Sequence, residues 1–68
     1  GFAKTNEFVE TYFGKRKSRV AVYRREELLP GSRLHTPCIV TEYSATTLAP
    51  EKTAVTVAHS GNIIIDLL

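Results

Sequence analysis

Turn residues at Gly14, Pro30-Gly31, Pro37, Pro50 and Gly61-Asn62 cut this chain into short runs rich in β-branched side chains. That rhythm constrains the fold more than any other feature. Six valines, four isoleucines and eight threonines supply the branched residues, which suit a pleated, half-buried surface better than a helix. Short strands at this spacing indicate an all-β sandwich or a small barrel. From Ser18 the chain alternates, with Val20 and Val22 expected on the inner face and Arg19, Ala21 and Tyr23 on the outer. Glu26 to Leu29 holds at most one helical turn, because Pro30 pushes Leu29 out of the helical region. Cys38–Glu42, Thr46–Ala49, Thr53–His59 and Asn62–Leu67 read as further strands, the last two joined through Ser60-Gly61-Asn62. The expectation is a small antiparallel sandwich or partly open barrel of about five to six strands. Its core is drawn from Val20, Val22, Ile39, Val40, Leu48, Val55, Val57, Ile63 and Ile65.

Length then limits what such a fold can do. A domain of 68 residues hides only about 60% of its unfolded surface, and chains of this size usually need a staple. The single cysteine, Cys38, excludes an internal disulfide. His35 and His59 lie too far apart in sequence to suggest a structural zinc site. Walls for a small-molecule pocket are scarce at this size, so a self-contained enzyme is not expected. The longest apolar runs fall far short of the ~20 residues of a membrane helix. The lack of a cysteine pair is consistent with a reducing, cytoplasmic setting.

The strongest charge feature is basic. Lys15, Arg16, Lys17, Arg19, Arg24 and Arg25 are six of the nine cations and have no acid among them. With Tyr12, Phe13 and Tyr23 nearby, they form a candidate interaction surface, since nucleic-acid binding uses cations for phosphates and aromatics for bases. The formal charge of only +2 and the adjoining Glu26 and Glu27 favour the other reading, in which the arginines meet protein carboxylates. Nucleic acid is therefore not the expected partner. Cys38, inside an apolar run, is expected to be a small core residue and not a nucleophile served by His35. His59 lacks companion ligands, Thr46-Thr47 lacks a glycine-rich loop and lysine, and Ser44 lacks an acid or oxyanion element. Glu42 is expected to guard a strand edge. No residue of the chain is assigned a catalytic, cofactor-binding or metal-binding role.

The turns and strands also follow a recognisable order. Val22-Tyr23-Arg24 is succeeded by Leu29-Pro30-Gly31, then Thr36-Pro37-Cys38-Ile39-Val40-Thr41-Glu42. Ala45-Thr46-Thr47-Leu48-Ala49-Pro50 and Val57-Ala58-His59-Ser60-Gly61-Asn62-Ile63 complete the series. In that order the chain resembles the C-terminal region of the hydantoinase A/5-oxoprolinase family, which includes N-methylhydantoinases and subunits of acetone carboxylase-like enzymes. The likeness runs roughly from Val20 to Leu67, about two thirds of the chain. Arg24 stands where the family has aspartate and Thr36 where it has glycine. Glu51-Lys52-Thr53 replaces proline-glycine-tryptophan, and Ser60 an aromatic.

The resemblance implies a parent enzyme whose earlier domains bind ATP and a divalent metal and hydrolyse a cyclic amide, or belong to a related carboxylase. This chain is then its non-catalytic C-terminal β domain, serving packing and subunit assembly, with no cofactor of its own. Residues 1–17 are expected to be a lead-in segment or edge strand, and residues 18–68 the β domain. The expected partners are the upstream catalytic domains and other subunits, in the cytoplasm and without a membrane. The alternative is a free-standing small β module that binds nucleic acid or a peptide.

Overall fold

A computed structural model describes residues 1–68, the side chain of Phe13 excepted. The chain is a two-sheet β sandwich of seven strands, not closed into a barrel. In chain order the strands are β1 (Glu7–Phe13), β2 (Arg16–Arg24), β3 (Arg33–Leu34), β4 (Cys38–Glu42), β5 (Ala45–Ala49), β6 (Thr53–Val57) and β7 (Ile63–Leu67). One sheet has the order β1-β2-β4-β5 and the other β3-β6-β7. A single 3-10 turn, Arg25–Glu27, falls at the one short helical element read from the sequence.

Most neighbours are antiparallel hairpins, as the turn residues dictate. Gly14 and Gly61 take positive φ, 66° and 93°, at the tips joining β1 to β2 and β6 to β7. Gly31, at 85°, turns the chain after Pro30. The exception is β2 with β4, which run parallel, Ala21 beside Cys38 and Tyr23 beside Val40. Parallel neighbours need a crossover, and the chain makes it from Arg25 through β3 in the opposite sheet. The sequence reading took Ser32 to Thr36 as plain connection. Its two strand residues are held by outside partners, with Leu34 beside Val55 and Arg33 beside Thr56. Residues 1–17 include β1, which pairs with β2 along all seven of its residues and forms one edge of the larger sheet.

The core lies between the sheets. Ala21, Tyr23, Cys38, Val40 and Ala49 face Leu34, Val55 and Val57, with Leu28 closing one side. The inner face of β2 therefore carries Ala21 and Tyr23, the reverse of the alternation read from sequence. Both faces of this central strand are apolar, so period alone leaves its orientation open. Arg19 had argued against that face. It lies further along the strand, where its guanidinium stacks over the exposed Phe8 ring at 4.3 Å. Tyr23 is satisfied although buried, because its hydroxyl accepts the His35 backbone N–H at 3.0 Å. The buried Thr53 hydroxyl donates to the Pro50 carbonyl at 2.8 Å.

Candidate interaction surface

Strand alternation separates the basic residues that are adjacent in sequence. Arg16 and Arg24 share the outer face of β2 with Ser18, Val20 and Val22, whereas Lys17 and Arg19 lie on the inner-facing side. Acids of the same chain meet three of the six cations. Arg24 reaches Glu7 at 3.0 Å, Lys17 reaches Glu10 at 3.2 Å and Arg16 reaches Glu51 at 3.7 Å. Arg19 is on Phe8, Arg25 donates from Nη2 to the Gly61 carbonyl, and Lys15 occupies the exposed β1–β2 turn. The surface pairs are solvent-exposed and contribute little stability, but they set a mixed-sign, locally neutral pattern in place of one positive face. Glu7, Glu10 and Glu51 are distant in sequence from the cations they meet, and only the pairing of β1 with β2 and the turn after β5 bring them there.

The outer face of the larger sheet carries a second feature. Register aligns Val9 with Val20, and Val22 with Ile39 and Leu48. The two sets meet at Val20 and Val22, neighbours on one face of β2, and together make a stepped apolar row that spans the four strands. Val20 is fully buried and Val22 and Ile39 are half-buried, but Val9 and Leu48 are exposed at 44% and 51%. The three-stranded sheet occupies the opposite face, so no sheet lies over Val9, Val22, Ile39 and Leu48, while Val20 is fully enclosed within the chain. Of the residues expected in the core, Val20 is buried, whereas Val22 and Ile39 are half-buried and Leu48 is exposed. Sequence signals apolarity here without saying which of two faces the other sheet takes.

Individual candidates are placed as follows. Cys38 is a free, fully buried thiol, and burial pushes its pKa up to about 11, away from the thiolate chemistry of a nucleophile. His35, three residues earlier, is exposed and stacks on Phe2 with ring centroids 4.3 Å apart. His59 is exposed in the β6–β7 turn, and Ser44 in the β4–β5 turn. Thr46 and Thr47 are exposed on β5 and point to opposite faces. Glu42 is exposed at the end of β4, an interior strand, so it guards no sheet edge. Among the described residues, no three histidine, cysteine, aspartate or glutamate side chains gather around a common point. A depression of about 660 Å³, open to solvent, lies between the β4–β5 and β6–β7 ends and includes Tyr43, Thr47, Gly61 and Ile63. No helix is long and apolar enough to cross a membrane.

No protein-family model, curated protein or solved structure matches this chain.

Proposed function

We propose that the chain is a non-catalytic β domain whose work is packing and assembly. The observation that carries this reading is the partly exposed apolar row of Val9, Val22, Ile39 and Leu48, anchored on the buried Val20, on the outer face of the larger sheet. Apolar side chains aligned across four strands and rimmed by charged pairs have the anatomy of a protein contact, with a hydrophobic centre and a polar margin. The order of turn and strand motifs from Val22 to Ile63 supports the more specific reading. On it, the domain is the C-terminal part of an ATP-dependent hydantoinase/oxoprolinase-like amidohydrolase, or of a related carboxylase subunit, working in the cytoplasm. ATP and a divalent metal then belong to the preceding catalytic domains, against which the apolar row docks.

The test begins with the reading frame upstream of Gly1. On this reading it continues for several hundred residues and includes a glycine-rich ATPase pattern, and the full protein hydrolyses ATP when given a hydantoin or 5-oxoproline. Ile39→Lys in that protein is expected to weaken docking of the β domain, read as faster limited proteolysis between the domains. A frame beginning at or near Gly1 would defeat the enzyme reading and leave the binding module. That module is then examined by low-salt titration against single- and double-stranded nucleic acid.

A further inference from the structure

The sandwich has four sheet edges, and two are guarded. β1 carries Glu7 and Glu10 in ion pairs, and β3 is two residues long and covered by the segment Gly1–Ala3, while β5 is open but polar at Thr46 and Thr47 and stops before Pro50. Charge, proline, shortness and cover are the usual ways of blocking edge pairing. β7 has none of these beyond Asp66: its sequence is Ile63-Ile64-Ile65-Asp66-Leu67, and it pairs only with β6.

The hydrogen bonds fix which backbone groups of β7 point outward. Beyond one end of the β6–β7 ladder the Ala58 N–H donates to the Asn62 carbonyl at 2.8 Å, and beyond the other the Leu68 N–H donates to the Lys52 carbonyl at 3.0 Å. Counting inward by the observed register, the bonded pairs are Thr56 with Ile64 and Ala54 with Asp66. Val57, opposite Ile63, confirms the phase from the other strand. Its N–H donates to Ser32 and its carbonyl accepts from Gly31, both away from β7. Ile63, Ile65 and Leu67 therefore direct their N–H and C=O groups to the open edge. Their side chains lie on the core-facing side of the sheet, where Ile65 is 40% and Leu67 87% exposed.

We infer that β7 pairs with β7 of a second copy of this chain, antiparallel about a two-fold axis at Ile65, joining two three-stranded sheets into one of six strands. The register is self-complementary. Ile65 bonds Ile65 of the other copy, and Ile63 bonds Leu67 in both directions, which satisfies six outward N–H and C=O pairs. The same register lines up Ile63, Ile65 and Leu67 of both copies as one apolar row. It sets each Asp66 against an Ile64 and not against the other Asp66, so no like charges face each other. An isologous contact of this kind consumes the open edge and closes at a dimer. The proposal rests on the assembly reading above only for its biological purpose, and it uses a different surface.

Sedimentation equilibrium on the intact chain, from about 10 µM to 1 mM, tests it. The expected result is a monomer–dimer equilibrium with a midpoint on the order of 100 µM, as suits a small contact. Proline is tolerated where an edge N–H faces solvent, so Ile65→Pro should keep the native circular dichroism and raise the midpoint at least tenfold. Ile65→Lys should do the same and decides the matter if the proline variant does not fold. Amide exchange of Ile63, Ile65 and Leu67 should slow as concentration rises, while Ile64 and Asp66 are slow throughout. A chain still monomeric at 1 mM, or a dimer indifferent to the folded variants, overturns the proposal. So does a monomer whose three outward amides are protected by a synthetic apolar pentapeptide, which makes the occupant a foreign strand. A dimer lost in Ile39→Lys but kept in Ile65→Lys overturns the edge contact and leaves the assembly reading standing.

Discussion

β6 and β7 are two arms of one hairpin, and their burial runs opposite to their hydropathy. β6, Thr-Ala-Val-Thr-Val, has Thr53, Val55 and Val57 buried with Ala54 and Thr56 half-buried. β7, Ile-Ile-Ile-Asp-Leu, is far more apolar, yet only Ile63 is even half-buried. The difference is position. β6 lies between β3 and β7 and beneath the larger sheet, whereas β7 is a sheet edge beside the open end of the sandwich. Composition tells how much a strand gains from burial, and topology decides whether it receives it.

The contrast can be broken most forcefully from the β6 side. Val55→Asp places an unpaired carboxylate in the core and is expected to unfold the chain, a loss of about 4 kcal/mol or more, read as absent cooperative melting. Next comes the turn that joins the two arms. Gly61→Val forces a β-branched residue to a φ of 93°, with its Cβ 3.4 Å from the Arg25 guanidinium. The expected cost is about 2 kcal/mol by denaturant titration, and an unchanged midpoint would count against the turn geometry. A smaller effect tests how dry the core above β6 is. Burial keeps Cys38 protonated to about pH 11 in the folded chain, against an ordinary thiol value of 9.0. The folded state therefore holds a proton that the unfolded state releases in that window. Stability from this group is complete below about pH 9 and is lost as pH rises towards 11, by on the order of 1–2 kcal/mol. Cys38→Ala should lack that part of the alkaline slope. At the far end, Leu67→Thr on β7 is expected to change the monomer's stability by under about 0.5 kcal/mol. A cost near that of a core truncation would show that something covers β7 even in the monomer.

The same contrast shows what could be read in advance. Local signals were legible: the hairpin at Gly61, the stop at Pro30, and the all-β class from branched residues and turn spacing. Val20, Cys38, Val40, Val55 and Val57 are interior as their apolar runs lead one to expect. Leu48 and Ile65 are not, because their exposure depends on where the facing sheet ends. Tyr23 and Ala21 were turned outward in the sequence reading, since β2 is apolar on both sides and only the arrival of β3 and β6 selects one. The parallel pairing of β2 with β4 has no local signature at all. The basic stretch was visible as a run of charge, but its dispersal onto two faces and its neutralisation by Glu7, Glu10 and Glu51 come from register.

The first six residues have a role that their lack of regular structure conceals. The Gly1 carbonyl accepts the Arg33 N–H, and the Ala3 N–H donates to the Arg33 carbonyl, so the chain begins against the smaller sheet. Four residues later it enters the larger one, and on the way the Thr5 hydroxyl donates to the Val22 carbonyl at 2.6 Å. A small sandwich with one cysteine has no disulfide between its layers, which are joined covalently only by the chain's own crossings between the sheets. This strap supplies a reversible tie, and neither layer can swing away from the other before the strap lets go. Both sheets should accordingly open as a single cooperative unit.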